Sequence, residues 1–197
     1  MTFDLYMAFV GFMLAASLTP GPNNLMVMAS GANFGHRRTL PHQLGIAVGF
    51  AFMVILMALG IAVVFEAFPR LDIVLMAAAT VYLLWLAWKI AHAAAPGSGA
   101  GAGKPMTFLQ AAAFQWVNPK AWAMALSAAT IYVPDNAATT IAIVAGSYFV
   151  VTMFSTSVWI RAGQELRRIL TNPRRLSIFN WTMAVLLVAS LIPVLLA

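Results

Sequence analysis

Apolar residues form six long runs along this chain, and short polar or basic gaps separate each run from the next. Each run has at least about 20 residues, which an α-helix needs to cross roughly 30 Å of hydrocarbon at about 1.5 Å per residue. The pattern predicts an all-α integral membrane protein with six transmembrane helices. The runs extend from Phe3 to Gly31, Gln43 to Val64, Leu71 to Ile90, Thr107 to Val133, Ala137 to Ile160 and Leu176 to Leu196.

The first and fourth predicted helices are each broken by a proline motif that has apolar residues on both sides. Proline removes a backbone donor, and lipid cannot satisfy the carbonyls and amides that a broken helix exposes. Such backbone is tolerated where it is buried in protein or lines a polar cavity. The motifs are Thr19-Pro20-Gly21-Pro22-Asn23-Asn24 and Gln115-Trp116-Val117-Asn118-Pro119-Lys120.

These prolines have two readings. They either kink two helices for packing, which is common in membrane proteins, or hold open a substrate site between the breaks. The occurrence of two breaks, each flanked by asparagine, favours the substrate site.

A Gly/Ala/Ser-rich stretch near the middle of the chain predicts a flexible linker at residues 92–106. Three apolar runs precede it, in residues 1–91, and three follow it, in residues 107–197. Because three is odd, the second triplet must enter the membrane in the opposite sense to the first, which predicts two inverted three-helix repeats. Pro119 lies 97 and 99 residues after Pro22 and Pro20, so the two breaks occupy corresponding places.

Composition supports a membrane location over a soluble one. The chain of 197 residues is 62% hydrophobic and 8% charged, against roughly 25% charged residues in soluble domains. The net charge of +6 comes from basic residues in the short gaps, without the aromatic-interleaved clusters of nucleic-acid-binding surfaces. No nucleic-acid partner is therefore predicted.

The basic residues also predict the orientation of the helices. The first, third and fifth gaps carry most of the lysines and arginines, and the second and fourth carry few. By the positive-inside rule these three basic loops are cytoplasmic and both termini are external.

The chemistry at the breaks suits a small zwitterion. The N-terminus of a half-helix offers free amides and a positive dipole end to a carboxylate, while carbonyls and side-chain amides accept from an ammonium. Lys120 either meets the substrate carboxylate or extends its stem to the headgroups. The candidate substrate-binding residues are Thr19, Pro20, Gly21, Pro22, Asn23, Asn24, Gln115, Asn118, Pro119 and Lys120.

The two motifs resemble those of the lysine exporter superfamily (LysE/RhtB-type), in particular its homoserine/threonine-resistance branch of bacterial amino-acid exporters. The resemblance rests on Thr19 to Asn24, Gly31 to Gly35 and Asn118 to Ala121, and extends over essentially the whole chain. It implies export of amino acids or close derivatives across the bacterial inner membrane, driven by the proton-motive force.

A second class of function is a membrane-embedded enzyme or assembly component without transport activity. The sequence shows no intramembrane acid/base pair or catalytic triad, which favours transport. No cofactor is predicted, and no metal site, because the chain has no cysteine and its three histidines lack ligand spacing. The sequence is compatible with a monomer or a homodimer. The candidates for the proton-coupling group are His42, Lys120, Asp4 and the substrate's own charge.

Overall fold

A computed structural model of the chain describes residues 1–61, 70–93, 104–133, 137–169, 172–190 and 192. The regular secondary structure of these residues is all helical, as predicted. A 3₁₀ turn occupies Gln115–Val117, between the fifth and sixth helices. The helices are α1 (Phe3–Leu18), α2 (Pro22–Phe34), α3 (His36–Ala58), α4 (Arg70–Ala91), α5 (Phe108–Phe114), α6 (Pro119–Tyr132), α7 (Ala138–Ile169) and α8 (Pro173–Ala189).

Several predicted boundaries differ from the structure, most clearly two where a helix extends beyond its apolar run. The second apolar run begins at Gln43, but α3 begins at His36, and α7 continues to Ile169, past the end of its run at Ile160. Apolarity marks only the part of a helix that meets hydrocarbon, whereas arginine and glutamine are good helix formers and let a helix continue beyond it. The predicted first loop is reduced to Gly35, whose φ of +79° reverses the chain between α2 and α3. Residues 94–103 of the predicted linker lie outside the described residues.

Two described helices are long and apolar enough to cross a membrane, His36–Ala58 and Ala138–Arg168. The pair α1 and α2, bent by 52° at its break, makes a third if it counts as one span. Large apolar side chains also cover the outside of the bundle, including Phe52, Val150 and Ile178, which are each more than half exposed. A surface of this kind fits contact with lipid rather than water.

Two close helix crossings hold the halves of the chain together. At one, Gly45 and Gly49 of α3 lie so close to α5 that an added Cβ would overlap the backbone of Phe108 and Ala112. At the other, Gly163 of α7 lies against the carbonyl of Met28 in α2. Small residues at such crossings let two helix backbones approach closely in a membrane.

Polar contacts gather several helix ends at one end of the bundle. Asn33, near the end of α2, donates to the side chain of Asn180 in α8 at 3.0 Å. Asn180 in turn donates to the carbonyl of Ala93, just after α4, at 3.2 Å. We call this the basic end, because it carries Arg37, Arg38, Lys89, Lys104, Arg161, Arg174 and Arg175.

Candidate functional site

Both predicted breaks interrupt helices in the structure. At the first, α1 ends at Leu18 and α2 begins at Pro22, after an extended Gly21. At the second, the 3₁₀ turn leads to Asn118, which is extended (φ −94°, ψ 106°), and α6 begins at Pro119. A proline fits the first position of a helix and disfavours the helical conformation in the residue before it. Each proline therefore both starts a helix and keeps the preceding residue out of one.

The two breaks contact each other through a reciprocal pair of side-chain amides. Asn23 Nδ2 donates to Gln115 Oε1 at 2.8 Å, and Gln115 Nε2 donates to Asn23 Oδ1 at 3.2 Å. Gln115 is fully buried. The pair lies on the side of the breaks that faces the basic end, because Asn23 is in the first turn of α2 and Gln115 directly follows α5.

A second contact joins the breaks on their other side, where α1 ends and α6 begins. Lys120 Nζ donates to the carbonyl of Thr19 at 2.8 Å. The lysine chain passes so close to Gly21 that a Cβ at this glycine would meet its Cδ. A side chain at position 21 would therefore displace Lys120 from this position, whereas the extended backbone of Gly21 is one that any residue can adopt.

Two of the carbonyls freed at the end of α1, those of Ser17 and Thr19, are satisfied by polar side chains. Asn24 Nδ2 donates to the carbonyls of both Ser17 and Thr19, at 2.8 and 2.9 Å. The hydroxyl of Ser155, from α7, donates to the Ser17 carbonyl at 2.7 Å. These bonds supply in the protein interior what lipid cannot offer to a broken helix.

The two new helix N-termini differ in their capping. Asn118 caps α6, since its Oδ1 accepts from the backbone amide of Lys120 at 3.2 Å. The start of α2 follows Gly21, which has no side chain to cap it. The backbone amides of Asn23 and Asn24 therefore form the less protected positive dipole end.

A cavity of about 40 Å³ lies between the breaks. It has room for about three water molecules, because one water needs roughly 10–15 Å³ of such volume. Its described lining contains one cation, Lys120, and no carboxylate. The lining residues are Ala16, Ser17, Gly21, Asn23, Asn24, Ile46, Phe50, Asn118, Lys120, Ala121, Met124, Thr152, Ser155 and Thr156.

The structure brings the sequence-predicted residues into one region, although not all of them line the cavity. Gly21, Asn23, Asn24, Asn118 and Lys120 do. Thr19 and Gln115 take part through the two contacts across the breaks, while Pro20 is exposed and Pro22 and Pro119 start helices. Their role in binding a substrate stays a prediction.

Sequence reasoning missed the part of the cavity that comes from α3 and α7. Thr152, Ser155 and Thr156 of α7 line it, and Ser155 also bonds to the end of α1. A signal was present, since hydroxyl residues at positions i, i+3 and i+4 form a polar stripe on an otherwise apolar helix. Ile46 and Phe50, which also line the cavity, carried no such signal.

The amino-acid sequence is similar to those of known bacterial efflux proteins. The chain is 33% identical over 192 residues to a cysteine/O-acetylserine efflux protein of Klebsiella pneumoniae, with 95% of each chain covered. It is 32% identical to proteins of the same description from Escherichia coli K12 and Shigella flexneri, with 86% of this chain and 87% of each relative covered. No solved structure matches the chain.

The family model for the LysE type translocator matches residues 14–192, which include both breaks and all the cavity-lining residues. The resemblance found in the two motifs is thereby confirmed at the level of the family. This chain is an integral membrane protein that belongs to the LysE type translocator family.

Proposed function

We propose that this protein is a secondary transporter that exports small amino acids or close derivatives, such as cysteine and O-acetylserine, across the bacterial inner membrane. The observation that carries the proposal is the meeting of the two helix breaks around a cavity whose lining includes a lysine, three asparagines and three hydroxyl residues of α7. Broken helices from two halves of a transporter are where a substrate site is expected. The similarity to cysteine/O-acetylserine efflux proteins supplies the substrate class.

We further propose that the protein has six spans arranged as two inverted repeats, residues 1–91 and 107–197, joined by the linker. Reciprocal packing supports this architecture. The broken pair α1 and α2 packs on α7, as the broken pair α5 and α6 packs on α3. The middle helices α3 and α7 pack on each other, and so do the last helices α4 and α8. An exchange of the two halves would preserve this set of contacts.

In the proposed site the substrate carboxylate lies at the first turn of α2, near the amides of Asn23 and Asn24, with Lys120 as its counter-charge. An anion at a helix N-terminus is stabilised by both the free amides and the dipole. The ammonium takes acceptors from α7, among them the hydroxyls of Thr152 and Thr156. A cavity of about 40 Å³ must widen to admit even a small amino acid, which favours short side chains.

The two contacts across the breaks suggest how access alternates between the sides of the membrane. The Asn23–Gln115 pair lies toward the basic end, and the Lys120–Thr19 contact lies toward the other end. If the Asn23–Gln115 pair opens while the Lys120–Thr19 contact stays closed, the cavity is exposed to the basic end. If the Lys120–Thr19 contact opens instead, the cavity is exposed to the other end. Each is a small set of hydrogen bonds, so a substrate that offers new partners is able to shift the balance.

The basic end is proposed to be cytoplasmic, with both termini external. Reporter fusions test this orientation directly. Fusions after residue 99 and after Pro173 are expected to report a cytoplasmic location, and fusions at residue 135 and at the C-terminus an external one. A cytoplasmic C-terminus contradicts the six-span arrangement.

Transport in proteoliposomes tests the function itself. Vesicles are loaded with O-acetylserine, cysteine, serine, threonine, homoserine or lysine, and a pH gradient is imposed. We expect the small neutral amino acids to cross faster than in protein-free vesicles, and an uncoupler to slow them. Cells that overproduce the protein are also expected to survive toxic levels of the substrate. A membrane enzyme or assembly component gives neither transport nor protection.

A further inference from the structure

A second cavity, of about 240 Å³, lies at the basic end, outside the site between the breaks. Its walls come from α2, α3, α4 and residues 104–110. Polar and basic groups and four large aromatic rings line it. They are Ser30, Asn33, Phe34, His42, Tyr82, Trp85, Trp88, Lys89, His92, Lys104 and Gln110.

Two buried side chains in this lining have polar atoms without a partner among the described residues. His42 is 2% exposed, and neither of its ring nitrogens has a hydrogen-bond partner. Asn33 is 5% exposed, and its Oδ1 has none. A buried polar group left unsatisfied destabilises a fold, so two such residues in the lining of one cavity indicate a site that receives a polar ligand.

The hydrogen-bond network fixes which end of the Asn33 amide is free. Its Nδ2 donates to the carbonyl of Ala29 at 2.8 Å and to Asn180 Oδ1 at 3.0 Å. The orientation of Asn180 is fixed in turn, since its own Nδ2 donates to the carbonyl of Ala93. The unpartnered atom of Asn33 is therefore an acceptor, and it suits a cation such as an ammonium group.

The second cavity continues the first along the same two helices. On α3, His42 lines the second cavity, while Ile46 and Phe50, one and two turns further on, line the first. Four residues of helix advance about 6 Å. On α2, Asn23 and Asn24 line the first cavity and Met26 the second. A ligand in the second cavity is thus about one helical turn from the site between the breaks.

We propose that the second cavity is a loading site that binds the amino acid before it reaches the site between the breaks. The inference rests on the proposed export function. Asn33 Oδ1 accepts from the substrate ammonium, and Lys89 and Lys104, which line the same cavity, balance its carboxylate. The two unpartnered ring nitrogens of His42 offer further hydrogen-bonding positions. The described lining contains no Asp or Glu, so no negative side chain there repels the carboxylate of an approaching amino acid.

Thiol protection tests the loading site, and the natural chain has no cysteine to interfere. Met106 lines the second cavity, so Met106→Cys places one thiol there. A membrane-impermeant methanethiosulfonate reagent is applied from the basic end with and without O-acetylserine, which has no thiol. We expect O-acetylserine to slow labelling several-fold, and to do so when Asn118→Ala is also present. Arg174→Cys, which is exposed at the same end but outside the cavity, should be labelled at the same rate with and without O-acetylserine.

The ligand contacts are tested by adding Asn33→Ala or His42→Leu to the Met106→Cys protein. Each should raise the O-acetylserine concentration that gives half protection by about 10-fold or more, because a hydrogen bond to a charged group contributes about 1.5–3 kcal/mol. Tyr148→Phe is the matched control: its hydroxyl is also buried and unpartnered, but it does not line the cavity. In the Met106→Cys protein, adding Tyr148→Phe should leave the O-acetylserine concentration for half protection unchanged.

Transport by the wild-type protein is measured independently and tests the export function. Three outcomes of the protection experiment would contradict the loading site. One is wild-type protein that transports O-acetylserine with no protection of Met106→Cys. The second is protection that Asn118→Ala abolishes, because labelling then reports the site between the breaks. The third is protection that neither Asn33→Ala nor His42→Leu weakens. If the wild-type protein transports no amino acid at all, the export function fails instead.

Discussion

The side chains of Asn23 and Gln115, 92 residues apart, form two hydrogen bonds with each other at 2.8 and 3.2 Å. Each amide uses both its donor and its acceptor, so the pair links the two halves of the chain at the point where each half has a broken helix. Gln115 also donates to the carbonyl of Ala111 at 2.9 Å, which holds its side chain in place. The pair is satisfied within the protein and does not need lipid or water.

A double-mutant cycle should detect this link. We expect Asn23→Ala and Gln115→Ala to be coupled by about 0.5–2 kcal/mol, the range of hydrogen bonds between membrane helices. Unfolding in mixed detergent micelles measures the free energies of the two single variants and the double variant. The same cycle on Thr182 and Ser177, two exposed residues of α8, gives the background. Additive effects at positions 23 and 115 would mean that the pair is not formed in the folded protein.

Asn118 and Asn172 offer a matched comparison between capping and substrate binding. Each caps a helix that begins with proline, and each accepts from the amide two residues on, at 3.2 and 2.9 Å. Only Asn118 lines the cavity between the breaks. Both alanine variants should lose about 1 kcal/mol of stability. Asn118→Ala alone should also raise the substrate concentration for half-maximal export, by about 10-fold or more. An equal rise in Asn172→Ala would assign the effect to helix stability.

Lys120→Met should weaken recognition of the substrate carboxylate. A charge-assisted hydrogen bond contributes about 1.5–3 kcal/mol, so export at low substrate should fall about 10- to 100-fold. The diagnostic measurement is competition by the carboxamide of the same amino acid, which lacks the negative charge. We expect the wild-type protein to prefer the amino acid strongly and Lys120→Met to lose that preference. If the preference survives, Lys120 serves only to satisfy the Thr19 carbonyl.

Pro119→Ala should lower export while insertion into the membrane persists. The proline disfavours a helical conformation at Asn118, and its removal lets the 3₁₀ turn and α6 join into a more continuous helix. Pro173→Ala is the control, because Pro173 also begins a helix after an extended asparagine but lies away from both cavities. Export rates are compared at equal amounts of membrane protein. Normal export by a Pro22→Ala, Pro119→Ala double variant would mean that the prolines only shape helix packing.

The crossing of α2 and α7 should be intolerant of a single added methyl group. A Cβ at Gly163 would overlap the carbonyl of Met28, and forced separation of packed helices costs about 1–3 kcal/mol. Gly163→Ala should therefore lower the detergent unfolding temperature. Gly146→Ala, on the same helix, meets nothing within 4 Å and should leave that temperature unchanged or raise it. Equal effects at the two glycines would mean that α2 and α7 are less closely packed at Gly163 than the structure shows.

Much of the site was predictable because membrane chemistry narrows the choices. Two prolines and a glycine within an apolar run leave backbone groups that lipid cannot satisfy, so the sequence locates the breaks at Pro20 to Pro22 and at Pro119. The polar residues Asn23, Asn24 and Asn118 lie within two residues of these prolines, so the same sequence motifs identify them as candidate site residues. The contribution of α7 was less visible, because Thr152 and Ser155 differ little from hydroxyl residues that bond within their own helix.

What the sequence determined by itself was the class of protein, the all-helical secondary structure and the places where helices break. These depend on local properties: apolar run length, proline geometry and the distribution of charge. The tertiary structure decided which groups meet across long separations, such as Asn23 with Gln115 and Lys120 with Thr19. It also decided that His42 and Asn33 share a cavity. Such pairings depend on how helices cross, and the crossings are set by close packing at Gly31, Gly45 and Gly163, which no local pattern along the chain specifies.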